Sequence, residues 1–537
     1  MAGRRQRLRA SILRPNHFEL RIEPKMKRQR NRRTALTALR GAGLCLVLGV
    51  AVGCVDWNEY GNGATNPHNS SAPGPSAGIV GGASLAHPVP GQTHDVEVGV
   101  LTDSAGAYIV TSYSNEIHVY DPAGAYQDTL TLPITDGDGP RASPYIVNDY
   151  LGKRSTLFTG CEAGGFYVVE IDKNTAPYTL TLKASLSSSV VGASESSPKR
   201  SSSGVFFLAG MFGDIQSFQY NFVTATLSLT GTYSLAEEVP GAIALYNLDG
   251  SFAGDEVLVA TKRGRFHVLD SALSTVLWSE TSGVRGTSGT NDQYYAGVTV
   301  AERGLADPIA LLPIAHRIGV PAPANAGMLR AINLSTQSVE WELTPSGTTL
   351  GQHEIPGSVS LMHPFLAVTP LHAQVFWDLG EVSGKVEATS VYLPAAPPLG
   401  CEDCAAGFTT RRHATALAMP EITLNEEPFD IQLLLSHWAT FASTDGSLYA
   451  VDLKSGAEMW SYALGQEGLE APVTDQNNIV YVGDGSSVLH AVHGASGAMV
   501  WTDSSLSTGG TGELVKLGVH YGSELIAGAH NAAYWLH

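Results

Sequence analysis

The sequence has little charge: 15% of its 537 residues are Asp, Glu, Lys or Arg. Basic residues are scarcer still beyond the first tenth of the chain. Residues 1–53 hold 13 of the 32 Lys and Arg and 2 of the 50 Asp and Glu. The remainder has 19 basic against 48 acidic residues, a net charge of −29. Such an acidic surface repels phosphate backbones and argues against a nucleic-acid partner; solubility alone accounts for it. Cysteine is rare, with five in the chain and no two adjacent. A Walker-type loop, an HExxH helix and a G-x-S-x-G elbow are all missing, which removes the common signatures of nucleotide, zinc-protease and serine-hydrolase chemistry. After residue 54 no segment of useful length carries a helical period. What the chain does have is 58 Gly, 28 Pro and 43% hydrophobic residues. That is material for one large closed all-β domain.

The N-terminus reads as an address. Met26 opens a better start than Met1, and residues 1–25 read as an over-extended beginning. Lys27–Arg33 are basic, and Leu36–Val52 are apolar and small, the length of a secretory core rather than of a full membrane span. The stretch ends Ala51-Val52-Gly53-Cys54, which resembles a bacterial lipobox, with Ala51 where Leu is usual. Lipidation is therefore expected at Cys54, on an exported, envelope-anchored protein. An ordinary signal peptide or an uncleaved anchor is the alternative. Residues 54–80, rich in Gly, Asn, Ser and Pro, are expected to be a flexible tether.

The domain that follows, residues 81–537, is organised by repeats. Asp445 to Trp460 reads D-G-S-L-Y-A-V-D-L-K-S-G-A-E-M-W: a tight Asp-Gly turn, a strand, a second turn and another strand carrying Trp. The pattern returns at Asp484-Gly485 through Trp501, and in weaker form before Trp278 and Trp341. A strand–turn–strand period of about 40 residues marks a propeller blade. Counting strand groups gives an all-β, eight-bladed propeller of four-stranded antiparallel blades, with seven or nine as alternatives. The blades start near Val96, Pro144, Val205, Ala242, Val298 and Val359, followed by the two clear repeats. Leu514–His537 supplies a further partial blade. Either one weak blade is a decorated loop, or an N-terminal strand from Gly78 to Leu85 completes the last one, since a ring closes by pairing both chain ends.

Ala450, Asp452, Ser455, Gly456 and Trp460 resemble the tryptophan-docking repeat of pyrroloquinoline-quinone (PQQ)-type propellers. The copy at Ala491, Ser496, Gly497 and Trp501 has His493 in place of the Asp, and those at Trp278 and Trp341 lack the Gly. The resemblance implies that each Trp packs near the Gly-containing turn of the next blade. It also offers two functional branches. Quinoprotein dehydrogenases seat their quinone under a vicinal Cys-Cys disulfide and over Ca²⁺, and haem-bearing ones carry C-x-x-C-H. This chain has neither, since Ala405 follows Cys401-Glu402-Asp403-Cys404. Propeller lipoproteins similar to that of the outer-membrane β-barrel assembly machinery carry no cofactor. A lipobox, a tether and eight blades match their build, although the insert near residue 400 does not.

Other chemistry has competing readings. Cys401 and Cys404 fit a local disulfide of an exported protein, with a redox or metal role as alternatives. Cys161 is expected to be a buried free thiol. Asn247, Asp249 and Asp255 resemble a worn calcium loop, against the plain reading of turns between strands. The leading expectation is a non-catalytic, lipid-anchored scaffold that uses no cofactor and binds other envelope proteins through the inserts at 310–327 and 393–430. A quinoprotein-type oxidoreductase and a Ca²⁺-dependent adhesion or glycan-binding propeller are the alternatives.

Overall fold

The computed structural model describes Thr65, residues 74–76, the strand Gly82–Leu85 and, with short interruptions, residues 96–366 and 422–536. The chain divides into Met1–Gly53 and Cys54–His537, and all of the described residues belong to the second unit. Among them there is no α-helix, and hence none long and apolar enough to cross a membrane. Seven four-stranded sheets and one six-stranded sheet account for eight blades, each antiparallel throughout.

Blade 1 is typical: Val96–Leu101, Ala107–Ser112, Glu116–Tyr120 and Tyr126–Thr131 pair in chain order, from innermost strand to outermost. Inner strands are buried on both faces because each blade packs between two others. Glu256–Ala260, Met328–Asn333 and Ile479–Gly483 are buried at every position. Outermost strands such as Ser338–Leu343 alternate half-buried with exposed, as a strand with one solvated face must. The core is therefore a series of inter-blade layers. Between blades 1 and 2, Ile117 and Val119 meet Ile146, Leu157 and Val169; between blades 5 and 6, Ile309, Leu329 and Ala331 meet Phe441, Tyr449 and Val451. The Ile, Leu, Val and Phe side chains among them contribute roughly 1.5–3 kcal/mol each when fully buried.

At the inner rim the blades are stitched by polar contacts. The Val298 amide donates to the Ala242 carbonyl (3.1 Å). The Gly297 amide donates to Ser358 Oγ (3.0 Å), the Thr299 hydroxyl donates to the Val359 carbonyl (3.2 Å), and the Ser360 and Thr474 hydroxyls lie 2.7 Å apart. These bonds join blades 4, 5, 6 and 7 in turn and satisfy groups that are buried where strands converge.

Ring closure uses both ends of the chain. Leu514–His520, Glu524–Ala529 and Ala532–Leu536 form the inner three strands of blade 8, and Gly82–Leu85 is its outermost strand. The register pairs Gly82 with Leu536 and Ser84 with Tyr534. The partial blade expected at Leu514–His537 is thus completed by the N-terminal strand.

The expected sixth blade is different from the one that forms. After Val359 the sequence continues with strand-like runs at Val375–Asp378 and Val386–Tyr392, which would complete a sixth blade; they lie outside the described residues. Blade 6 takes Ser360–Leu361 as its innermost strand and then Trp438–Ser443, Ser447–Asp452 and Glu458–Ala463. An insertion therefore separates its first and second strands. Phe365–Leu366 pairs with Leu435–Ser436 at the base of that insertion, which brings its two ends together. Lengthening a loop costs little extra closure entropy, so a long insertion is tolerated there. This removes the surplus blade from the sequence count.

Blade 5 is also larger than expected. Residues 310–317, expected to belong to a loop, continue the strand Ala306–Arg317. Its first half pairs with Thr299–Arg303, and its far end pairs with Thr290–Tyr294, part of a hairpin with Val284–Arg285. Residues 318–326 of that expected insert lie outside the described residues.

The closure register is testable by crosslinking. Ser84→Cys with Tyr534→Cys places two thiols on directly opposed residues and should form a disulfide detectable by peptide mapping. Ser84→Cys with Trp535→Cys places them on opposite faces and should not; equal crosslinking of both pairs would contradict this register.

Candidate functional site

The tryptophans define the seams between blades. A side-chain carbon built onto Gly456 would lie 2.6 Å from the Trp341 indole, and one on Gly497 would lie 2.8 Å from that of Trp460. Trp341 of blade 5 thus lies flat on the turn of blade 6, and Trp460 of blade 6 on the turn of blade 7. Both glycines have φ of 69°, a conformation that L side chains disfavour. The indole N–H groups are also satisfied across the seam: Trp341 Nε1 donates to the Leu453 carbonyl (3.2 Å), and Trp460 Nε1 to the Gly494 carbonyl (2.7 Å). Leu453 and Gly494 hold the same place in their repeats, one residue after Asp452 and His493.

The same turns have a side-chain cap. Asp452 Oδ1 accepts from the Lys454 and Ser455 amides, and Asn333 Oδ1 from those of Ser335 and Thr336. Asn221 Oδ1 does so for Val223 and Thr224 in blade 3, where no Trp follows the turn to mark it in the sequence. The Gln337 backbone has φ of 58° at the position of Gly456, so blade 5 keeps the turn without the glycine. Trp278 sits edge-on to Phe266, with ring centroids 5.5 Å apart, and packs against the layer between blades 4 and 5.

The seam of blades 5 and 6 also holds an ion pair. Arg303 makes a two-pronged contact with Glu340 (2.6 and 2.9 Å) and donates to the Leu453 carbonyl (3.1 Å), sharing that acceptor with Trp341. Burial alone would raise the Glu340 carboxyl. Hydrogen bonds from Arg303 and Asn333, and the guanidinium charge, hold it below the ordinary carboxylate range.

The seam of blades 7 and 8 is built differently, because the third and fourth strands of blade 8 come from opposite ends of the chain. Trp501 Nε1 donates to the Pro75 carbonyl (2.8 Å). The Tyr481 hydroxyl lies 3.2 Å from the same oxygen and 3.4 Å from Asp475 Oδ2, and the Gly74 amide donates to Asp475 Oδ2 (2.8 Å). Asp475 Oδ1 caps its own turn by accepting from the Asn477 and Ile479 amides, both at 2.8 Å. Gly74 and Pro75 are buried. Another residue of the expected tether, Thr65, accepts from the Val300 amide on the innermost strand of blade 5 (2.8 Å). Burial raises the Asp475 carboxyl above its ordinary value, against the opposing pull of its hydrogen bonds, and it raises the Tyr481 phenol too.

The other candidate residues are spread out. Cys54, Cys401, Cys404 and Asp249 lie outside the described residues. Cys161 is a buried free thiol beside the layer between blades 1 and 2, its pKa raised by burial. Asp255 faces Ser202 of the preceding blade, accepting from its amide (2.7 Å) and its hydroxyl (3.0 Å). Glu256 Oε2 accepts from the Leu248 amide (2.7 Å), which closes the turn holding Asn247. Among the described residues no three His, Cys, Asp or Glu side chains converge as a metal site would require.

Residues 438–524, which contain the two docking repeats that keep the Gly, match the family model of PQQ-type repeats described as outer membrane protein assembly factor BamB. The propeller carries PQQ-like repeats and resembles BamB. No curated protein matches by sequence. Among solved structures, Sqt1 of Saccharomyces cerevisiae is 9% identical with a TM-score of 0.53, covering 85% of this chain and 98% of its own. BamB from Moraxella catarrhalis is 13% identical with a TM-score of 0.47, over 86% and 96% of the two chains. The computationally designed protein Ika8 is 11% identical with a TM-score of 0.45, over 84% and 98%. The likeness to Sqt1 concerns the propeller fold.

Gly465 has φ of 92° with nothing within 4 Å of an added carbon, so Gly465→Ala reports backbone strain alone. Gly497→Ala adds a collision with Trp460 and should cost more than Gly465→Ala, by more than about 1 kcal/mol in urea titrations; equal costs would contradict the docking. The raised Asp475 carboxyl has its own signature. Its contribution to stability is full below the ordinary carboxylate range and is lost as pH rises through the raised value. Asp475→Asn should flatten that part of the stability–pH curve, whereas parallel curves for parent and variant would show that Asp475 does not produce it.

Proposed function

We propose that this chain is a lipid-anchored, non-catalytic propeller of a bacterial cell envelope, a rigid scaffold for protein–protein interaction. The observation that carries the reading is the match of residues 438–524 to a family model described as an outer membrane protein assembly factor. These residues belong to blades 6, 7 and 8, and they hold the Trp460–Gly497 contact.

Three features of the chain support it. The basic, apolar and small segments ending at Cys54 form a lipoprotein leader, so the anchor is a lipid on that cysteine. The inner rim of blades 5 to 7 presents Thr299, Ser358, Ser360 and Thr474, whose hydroxyls are engaged by neighbouring blades. Small hydroxyls so engaged suit a structural rim better than a reaction centre. The insertion of blade 6 springs from a paired base, which suits a loop presented to a partner, and residues 393–430 within it are the proposed contact segment. The partners are other envelope proteins.

Metabolic labelling with palmitate tests the anchor. The parent should incorporate label and fractionate with membranes, and Cys54→Ser should do neither; labelling that survives the substitution would refute Cys54 as the anchor. Adding pyrroloquinoline quinone with Ca²⁺ should leave the melting temperature unchanged and support no dye reduction. A saturable thermal shift with dye reduction would replace the scaffold by an oxidoreductase.

A further inference from the structure

The seam between blades 7 and 8 has the chemistry of a peptide site. In the two preceding seams a tryptophan N–H reaches a carbonyl that belongs to the next blade's own turn, at Leu453 and Gly494. Blade 8 has no continuous turn at that place, because its third strand is Ala532–Leu536 and its fourth is Gly82–Leu85. The Pro75 carbonyl stands in for the turn, taking the Trp501 N–H at 2.8 Å. Three side chains from blade 7 therefore hold a segment joined to that blade neither just before nor just after it in sequence: Asp475 holds the amide of Gly74, and Trp501 and Tyr481 face the carbonyl of Pro75.

The cradle is selective by shape and by hydrogen-bond count. A side-chain carbon at Gly74 would collide with the Tyr481 phenol ring, so the first residue must be glycine. The second residue is buried, and proline brings no N–H that would need an acceptor there. Its carbonyl faces two donors, and the Asp475 carboxylate is already fixed by the amides of its own turn. The site is thus preorganised before the segment arrives, which lowers the entropy cost of docking.

We propose that Asp475, Tyr481 and Trp501 form a recognition site for a Gly-Pro peptide, filled in this chain by its own Gly74–Pro75 and open to the same sequence from outside when that segment is displaced. The site differs from the proposed partner-binding insertion, so its failure would leave the scaffold reading untouched.

Indole N–H exchange in the full chain, read by NMR on ¹⁵N-Trp-labelled protein, tests it. The Trp501 signal is assigned by its loss in Trp501→Phe, and Trp460, docked on the preceding seam, is the internal control. In Gly74→Val the Trp501 N–H should exchange at least about tenfold faster while Trp460 is unchanged. Asp475→Ala, which removes the acceptor for Gly74 without adding bulk, should do the same and carries the reading if Gly74→Val fails to fold. A synthetic peptide copying Ser70–Gly81 should restore Trp501 protection in Gly74→Val, and the same peptide with valine at position 74 should not. Full Trp501 protection in both variants would overturn the proposal, as would both peptides acting alike.

Discussion

A tryptophan laid on a neighbouring blade's turn is the contact on which the rest depends. A single propeller blade cannot bury either face alone, so stability comes from stacking and from whatever fixes the stacking register. Here the register is fixed at the turns, where the indole covers a left-handed backbone position and its N–H takes a defined carbonyl. The Trp341–Gly456 and Trp460–Gly497 pairs repeat the same geometry through consecutive blades. Apolar layers between blades supply the bulk of the burial, but they are non-directional; the indole hydrogen bonds say which turn meets which strand.

A ring built this way has one place where chain continuity fails. The protein resolves it with two separate devices. The strand Gly82–Leu85 completes the sheet of blade 8, and Gly74–Pro75 completes the turn that Trp501 needs. The seam consequently joins residues some 400 positions apart, and burial raises the carboxyl of Asp475 within it. The Arg303–Glu340 pair achieves the opposite balance between blades 5 and 6. There a buried guanidinium keeps its partner ionised while bonding the carbonyl that receives Trp341.

Much of this was legible in the sequence, and the reasons are specific. The fold class followed from the repeat period and the Asp-Gly turns, and the docking of Trp341 and Trp460 on the turns of Gly456 and Gly497 is what the resemblance to PQQ-type repeats implied. The need to close the ring offered an N-terminal strand from Gly78 to Leu85 as one of two ways to account for the partial blade, and the strand that pairs there is Gly82–Leu85. What stayed hidden has a common cause, since strand pairing is decided by register over long separations. Nothing in Ser360–Leu361 announces a partner beyond a long insertion, and the Gly- and Thr-rich stretch of residues 284–294 reads as a loop although it forms a hairpin on blade 5. The cradle was invisible for the same reason. Asp475 looks like any turn aspartate, and Gly74–Pro75 lies within a run whose composition suggests a tether. A signal was nonetheless present: Trp501 repeats the docking motif with no following turn to dock on.

The docked blades form a ring because the two ends of the propeller pair in one sheet. Hydrogen–deuterium exchange read by mass spectrometry on peptides covering residues 82–85 and 532–536 tests it most directly. A closed ring predicts that both peptides are protected and are released together as denaturant is raised. If residues 82–85 exchanged at the rate of a free peptide while residues 532–536 stayed protected, the ring would not be closed in this way.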